Sequence, residues 1–315
     1  MKKVLAVLLS AGLIASAVLF AGCSDIRING DFSEAATQEE VTALAATVSA
    51  NQDKWFGDTT AEGWAYGMEI TSNAKFEMNL STSDYDSTTT SDASLDLDFA
   101  YETQTVSGNV KMNAESTQTY EGRLVSVGES FDGKAYLDEN GLYFDGTIRE
   151  YNELEGENFE LSGKYLYSNS LSSAMGIELP TAASITSEIL DALQDENVTV
   201  YIDDSGDETK VKISYDVDAL MEQYLSGIWG SETEQLLLDN LNFEAMDVYF
   251  SFVPETGLLT GYGAVVKANL SEVTIGSGDQ AVRVSMSISS SGWYMKGDVT
   301  VKAPSDLDSY QTPSA

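Results

Sequence analysis

Apolar and polar side chains alternate along much of the chain. Ala74, Phe76, Met78 and Leu80 alternate with Lys75, Glu77 and Asn79. Leu95, Leu97, Phe99 and Tyr101 alternate with Asp96, Asp98, Ala100 and Glu102, and Val106, Gly108, Val110 and Met112 with Ser107, Asn109 and Lys111. A period of two puts one set on a buried face and the other in water. These stretches therefore predict strands of an antiparallel sheet. Ser81 to Ser94 holds only Ser, Thr, Asp, Tyr85 and Ala93, and predicts a long exposed hairpin tip. Asp132-Gly133, Asn140-Gly141 and Asp145-Gly146 predict tight turns around two short strands, 135–137 and 142–144. Later strands are expected over Val198 to Ile202, Lys210 to Tyr215, Met246 to Phe252, Tyr262 to Leu270, Val282 to Ile288 and Tyr294 to Val301.

Other segments repeat at helical spacing. Thr37-Gln38-Glu39-Glu40 fits a capping box, in which Thr and Glu satisfy the free amides of a helix start. Val41, Leu44 and Val48 follow, predicting a helix from Thr37 to about Asn51. Pro180 precedes Ala182, Ile185, Ile189 and Leu193 on one helix face. Val217, Leu220, Met221, Tyr224, Leu225 and Ile228 keep the helical pattern, closed by Gly227 and Gly230. Ser231-Glu232-Thr233-Glu234 is a second capping box, leading into Leu236 to Leu241.

This order predicts a β-rich α+β fold. Neighbouring strands joined by short turns make a meander, and an apolar sheet face must be covered. The expected architecture is a large curved antiparallel sheet, an unclosed barrel, with two or three amphipathic helices covering its concave face. It is read as a single domain, 37–302, followed by a frayed polar tail, 303–315.

The start of the chain is different. Lys2-Lys3 is a short positive region, Val4 to Phe20 is apolar, and Ala21-Gly22 lead into Cys23. These are the marks of an export signal, 1–22. Leu19-Phe20-Ala21-Gly22-Cys23 resembles the lipobox of bacterial lipoproteins, with Phe20 where Leu is usual. The resemblance implies cleavage before Cys23 and a diacylglycerol on its sulfur. It places the protein on the extracytoplasmic face of a bacterial cell membrane. The alternative is an uncleaved membrane helix, since 4–22 is uncharged and near the ~20 residues that a span needs. Residues 23–36 are expected to be the lipidated Cys and a polar tether, reaching at most ~45 Å when extended.

Composition narrows the chemistry. With no His, the commonest general base near neutral pH and the commonest transition-metal ligand are missing. The single Cys excludes an intrachain disulfide. Against 51 acidic side chains stand 16 basic ones, for a net charge of −35. Phosphate-backbone binding needs clustered Lys and Arg, so no nucleic-acid partner is expected. The acids are spread along the chain and read as a solvated surface, or as a collector of cations or basic peptides. Asp203-x-Ser205-x-Asp207 imitates the start of a calcium loop, but Glu208 and Ser214 stand where Gly and Glu are required; a hairpin turn is the plainer reading. Asp84, Asp86 and Asp92 are a looser calcium candidate. Asp96 and Asp98 share a strand face, the only shadow of a paired-acid hydrolase. No catalytic residue, resident cofactor or metal ligand is assigned, and an enzyme is not expected.

The leader, tether, first helix and meander with inserted helices look like the lipid-carrier lipoproteins of the LolA/LppX type. Phe131-Asp132-Gly133-Lys134-Ala135-Tyr136-Leu137, followed by Asn140-Gly141-Leu142-Tyr143, is similar to uncharacterised lipoproteins of that fold. The resemblance implies an unclosed barrel with a helical lid, acyl chains in the hollow and no catalytic residues. The candidate ligand surface is Leu97, Phe99, Val110, Met112, Phe250 and Met286, with Tyr224 and Trp229 on a covering helix. Adaptable Met beside aromatics suits an acyl chain, while an ordinary filled core is the plain alternative for each residue. The expectation is a membrane-anchored envelope lipoprotein that binds or carries an acyl or other hydrophobic ligand. The alternative is a structural or interaction lipoprotein that displays an acidic β-surface to envelope partners and has no cavity.

Overall fold

A computed structural model describes residues 26–61, 65–83, 85–120, 122–167, 181–216, 236, 239–278 and 281–312. The leader with Cys23, Asp84, the helix expected over 217–228 with Tyr224 and Trp229, and the second capping box lie outside the described residues.

Among the described residues the protein is one antiparallel sheet of eleven strands with two α-helices of more than ten residues. Helix α1 is Gln38–Asn51 and α2 is Ala182–Gln194. The strands are β1 Gly67–Ser81, β2 Asp86–Ala100, β3 Thr105–Tyr120, β4 Arg123–Asp138, β5 Gly141–Asn152, β6 Glu157–Tyr167, β7 Val198–Asp203, β8 Thr209–Tyr215, β9 Leu241–Phe252, β10 Leu259–Ile275 and β11 Val282–Gly297. Their spatial order is β6-β5-β4-β3-β2-β1-β11-β10-β9-β8-β7. Strands β2 to β6 run out as a meander on one side of β1, and β11 back to β7 fill the other side. β6 and β7 are left as the two edges, so the sheet does not close.

Both capping sites form as local chemistry dictates. The Thr37 hydroxyl accepts from the Glu40 amide, and the Glu40 carboxylate takes the Thr37 amide at 2.7 Å. That hydrogen bonding holds the Glu40 carboxyl below its ordinary range. Thr181 and Ser184 make the equivalent box for α2.

Four expectations need correction. Ser81 to Ser94 is not a long tip: Ser81 pairs with Asp86, so the hairpin is only 82–85 and the Ser/Thr run is strand β2. Asp132-Gly133 and Asp145-Gly146 are not turns. Gly133 lies inside β4 between Val110 and Gly146, and Gly146 inside β5 opposite Gly163. The Phe144 ring lies across both, with ring carbons 2.6 Å from where a Cβ on either glycine would sit. These glycines therefore make room for an aromatic ring. Asn140-Gly141 does turn, closing the Asp138–Gly141 pair. Finally, 282–288 and Tyr294 onward form a single 16-residue strand, β11, bridged by buried Ser290 and Ser291.

The terminal segments are docked as well. Residues 26–36, expected to be a free tether, run over the sheet. Arg27 pairs with Glu69 at 3.6 Å, Ile28 is buried, the Phe32 ring meets Tyr249, and Ala35 bridges to Tyr201 on edge strand β7. At the other edge the expected frayed tail is pinned through residue 312. Asp306 pairs with Lys164, the Gln311 amide donates to the Lys164 carbonyl, and Tyr310 packs on Tyr143. An open edge strand is an invitation to pair with another chain, and each terminus covers part of one.

Candidate functional site

The register assigns every strand residue to a face. Ile70, Leu97, Gly108 and Ala135 lie side by side, and Tyr294, Tyr262, Phe250 and Val211 continue the row in the other direction. Leu44 and Val48 of α1 and Ile185, Ile189 and Leu193 of α2 join these residues in one buried cluster. We call this the helix face. Its near end is where β1 begins and β11 ends; its far end carries the 82–85 hairpin.

The near half is packed tightly. Val48, Trp55, Met68, Val106, Ile189, Phe250 and Leu259 are fully buried there. Trp55 Nε1 donates to Thr186 of α2 at 2.7 Å, and its ring meets Phe252 edge-on. The Tyr66 hydroxyl donates to the Leu259 carbonyl at 2.8 Å, and Tyr262 donates to Glu188. Burial pushes the Tyr294 phenol up to about 12, with the Glu188 charge adding to it. Burial likewise raises Tyr262 far above its ordinary value, again reinforced by Glu188. Burial thus favours the protonated form of both phenols.

Four of the expected ligand contacts fall in this near half. Leu97, Phe99, Val110 and Phe250 are between 0% and 6% exposed and belong to the helix-packed cluster. They pack in the core, which is the plain alternative for each of these residues. Met112 and Met286 are placed differently, half-buried and further along the strands.

The far half of the same face has two apolar banks and a low floor. One bank is Phe76, Met78 and Leu80 of β1 beside Ile288, Met286 and Val284 of β11. The other is the row Met112, Phe131, Ile148 and Leu161 across β3 to β6. Between them β2 and β3 present Ser91, Thr89, Ala114 and Ser116. Phe76, Met78, Met112, Phe131, Ile148 and Leu161 are all only half-buried. At the far end an open groove of about 540 Å³ is lined by Thr89, Ala114, Ser116, Val127 and Phe159 together with the carboxylates Glu115, Glu129, Glu150 and Glu157. Phe159 is 50% exposed. Volumes of roughly 300–1,000 Å³ suit small ligands.

Sequence reasoning listed Phe76 and Met78 as strand residues without seeing that they form a bank. Their partners Ile288 and Met286 lie about 210 positions later, a distance no local pattern spans. A bulge adds one residue to β10 between Leu270 and Val273, which keeps both on this face despite their odd spacing. Leu270, Val273 and Val284 form a smaller buried cluster with Leu236 packed on it.

The remaining candidates are carboxylates, and those described are held by neighbouring groups. Asp203 Oδ1 accepts from the Ser205 amide and hydroxyl, and Oδ2 accepts from the Asp31 amide at 3.0 Å. The Ser205 hydroxyl, then the Asp31 amide, hold its carboxyl down to about 2. That carboxylate is thus spent on a turn and on the N-terminal stretch. Asp96 and Asp98 lie on the opposite face, with Asp98 directly across from Glu69. Burial raises the Asp98 carboxyl, and the Glu69 and Asp96 charges add to it. Asp247 is buried on that face, where it accepts from Ser214 and from Tyr249 and pairs with Lys212 at 3.1 Å. Among the described residues no three acidic side chains converge as a metal site. No described helix is long and apolar enough to cross a membrane.

No family model matches the chain, and no curated protein matches it. Among solved structures, the chain is similar to the translocator domain of autotransporter NalP from Neisseria meningitidis. The two are 9% identical, and the alignment covers 81% of this chain and 95% of that one. The TM-score is 0.14, at which the likeness carries no argument about fold or function.

Proposed function

We propose that the protein is an extracytoplasmic lipoprotein, anchored through acylated Cys23, that binds an acyl chain or a similar hydrophobic ligand along the far half of its helix face. The lipobox-like Leu19-Phe20-Ala21-Gly22-Cys23 supports the anchor. The observation that carries the ligand is the contrast of lengths. β1 has 15 residues and spans about 45–50 Å. Helix α1 has 14 residues and is about 21 Å long, and α2 has 13. Each of these two helices, among the described residues, is thus less than half as long as β1. Phe76, Met78 and Ile148, further along the strands, are only half-buried around a floor of Ser, Thr and Ala. An extended acyl chain is long, narrow and apolar, and such a floor between two greasy banks fits it. Unbranched Met78, Met112 and Met286 adapt to chains of differing shape.

The test is extraction. Residues 24–315, expressed without the anchor and extracted with organic solvent, are expected to release lipid detectable by mass spectrometry. Met78→Asp combined with Met286→Asp should lower that yield at least fivefold while the protein stays folded. No lipid from the parent protein would reject the reading. It would leave the second one, a lipoprotein that presents its acidic surface to envelope partners.

A further inference from the structure

The docking of residues 26–36 has a consequence for how the molecule stands on a membrane. Ile28 is 3% exposed and lies against Gly261 and Met295, while Arg27 pairs with Glu69, the third residue of β1. Phe32 meets Tyr249, and Ala35 then bridges to the β7 edge before α1 begins on the helix face. The chain thus wraps from one face of the sheet to the other around an edge, held at each step. It is a strap with no slack. Cys23 precedes Arg27 by four residues, which reach at most about 14 Å. The sheet is about 45–50 Å long along β1. The membrane attachment, whether acyl groups on Cys23 or the apolar segment before it, therefore emerges beside the near half and cannot reach the far hairpins.

We infer that this strap mounts the protein on a lipid surface by the near half of the sheet, with the far apolar half turned away from the membrane that holds it. The inference rests on the anchored, acyl-binding reading above and deepens it. Ligand enters or leaves at the end opposite the anchor, tens of ångströms from the anchoring bilayer. Exchange is then with a partner or a surface other than that bilayer.

Position-specific energy transfer tests this in the full chain, expressed with its leader, purified from membranes and placed in phosphatidylglycerol–phosphatidylcholine vesicles carrying an acceptor-labelled headgroup. The donor goes on Asp298→Cys, just past the near end of β11, or on Ser83→Cys, in the far hairpin; both positions are exposed. Transfer is expected to be at least twofold stronger from Asp298→Cys. Equal or stronger transfer from Ser83→Cys would overturn the inference, as would recovery of the chain outside the membrane fraction. Adding Ile28→Asp and Phe32→Asp should release the strap and bring the ratio towards one; a ratio left unchanged would show that the strap does not set the orientation. The mass of the purified chain separates this result from the parent reading. An uncleaved, unacylated chain with the expected ratio would reject the lipoprotein assignment alone.

Discussion

The near and far halves of one sheet face are built from the same strands and face the same way, yet they differ in how deeply their apolar groups are buried. Met68, Ile70, Leu97 and Phe99 meet two helices and are almost wholly buried. Phe76, Met78 and Ile148, a few residues along those strands or on their neighbours, are only half-buried. Composition alone does not make the difference, since both halves carry large apolar groups. The floor does: the near half packs Leu97 and Val106 under the helices, while the far half places Ser91, Thr89 and Ser116 between its banks. The first arrangement makes a core, and the second makes a trough.

The largest test of that contrast is truncation. Phe99→Ala in the near half should cost about 3–5 kcal/mol, because a fully buried ring leaves a cavity that helices and sheet cannot collapse. Met78→Ala in the far half should cost less than about 1.5 kcal/mol. Urea unfolding midpoints measure both, and equal losses would break the comparison. Polar groups give a smaller version. Trp55→Phe keeps a ring but removes the donor to Thr186, and should cost about 1–2 kcal/mol. Thr89→Val, which loses a 3.2 Å contact with Ser116 in the far half, should stay within about 0.5 kcal/mol. Smallest is the opposite face. The raised Asp98 carboxyl is penalised when charged, first by burial and then by Glu69 and Asp96. That cost is present above its raised value and vanishes below the ordinary carboxylate value of about 3.9. Asp98→Asn should therefore raise the melting temperature slightly at pH 7, with the gain fading as the pH falls through the acidic range.

Much of the fold was legible because its signals are local. The Thr37–Glu40 box and the Ala182, Ile185, Ile189, Leu193 face need only neighbouring residues, and both helices are found where they were read. The alternating runs were likewise strands. What could not be read depends on distant partners. Ser87 to Ser91 carries no apolar alternation, and only its register with β1 makes it a strand. Gly133 and Gly146 resemble turn glycines until the Phe144 ring is seen across them. Ser289 to Gly292 looks like a break, although Ser290 and Ser291 are buried mid-strand. The polar stretch before α1 suggested a free tether because Ile28 and Phe32 are isolated apolar residues; their partners, Trp293 and Tyr249, lie more than two hundred residues away. The candidate site suffered in the same way. Leu97 and Met112 have the same sequence pattern, and only what distant strands and helices place beside each makes one buried and the other half-buried.

The central claim is that the far half takes an acyl chain. The most direct measurement is amide hydrogen exchange on the protein with and without a long-chain fatty acid. Slowed exchange is expected at residues 76–80, 112–116 and 284–288, with residues 68–72 unchanged. No slowing at those far-half positions, or slowing confined to the helix-covered near half, would contradict it.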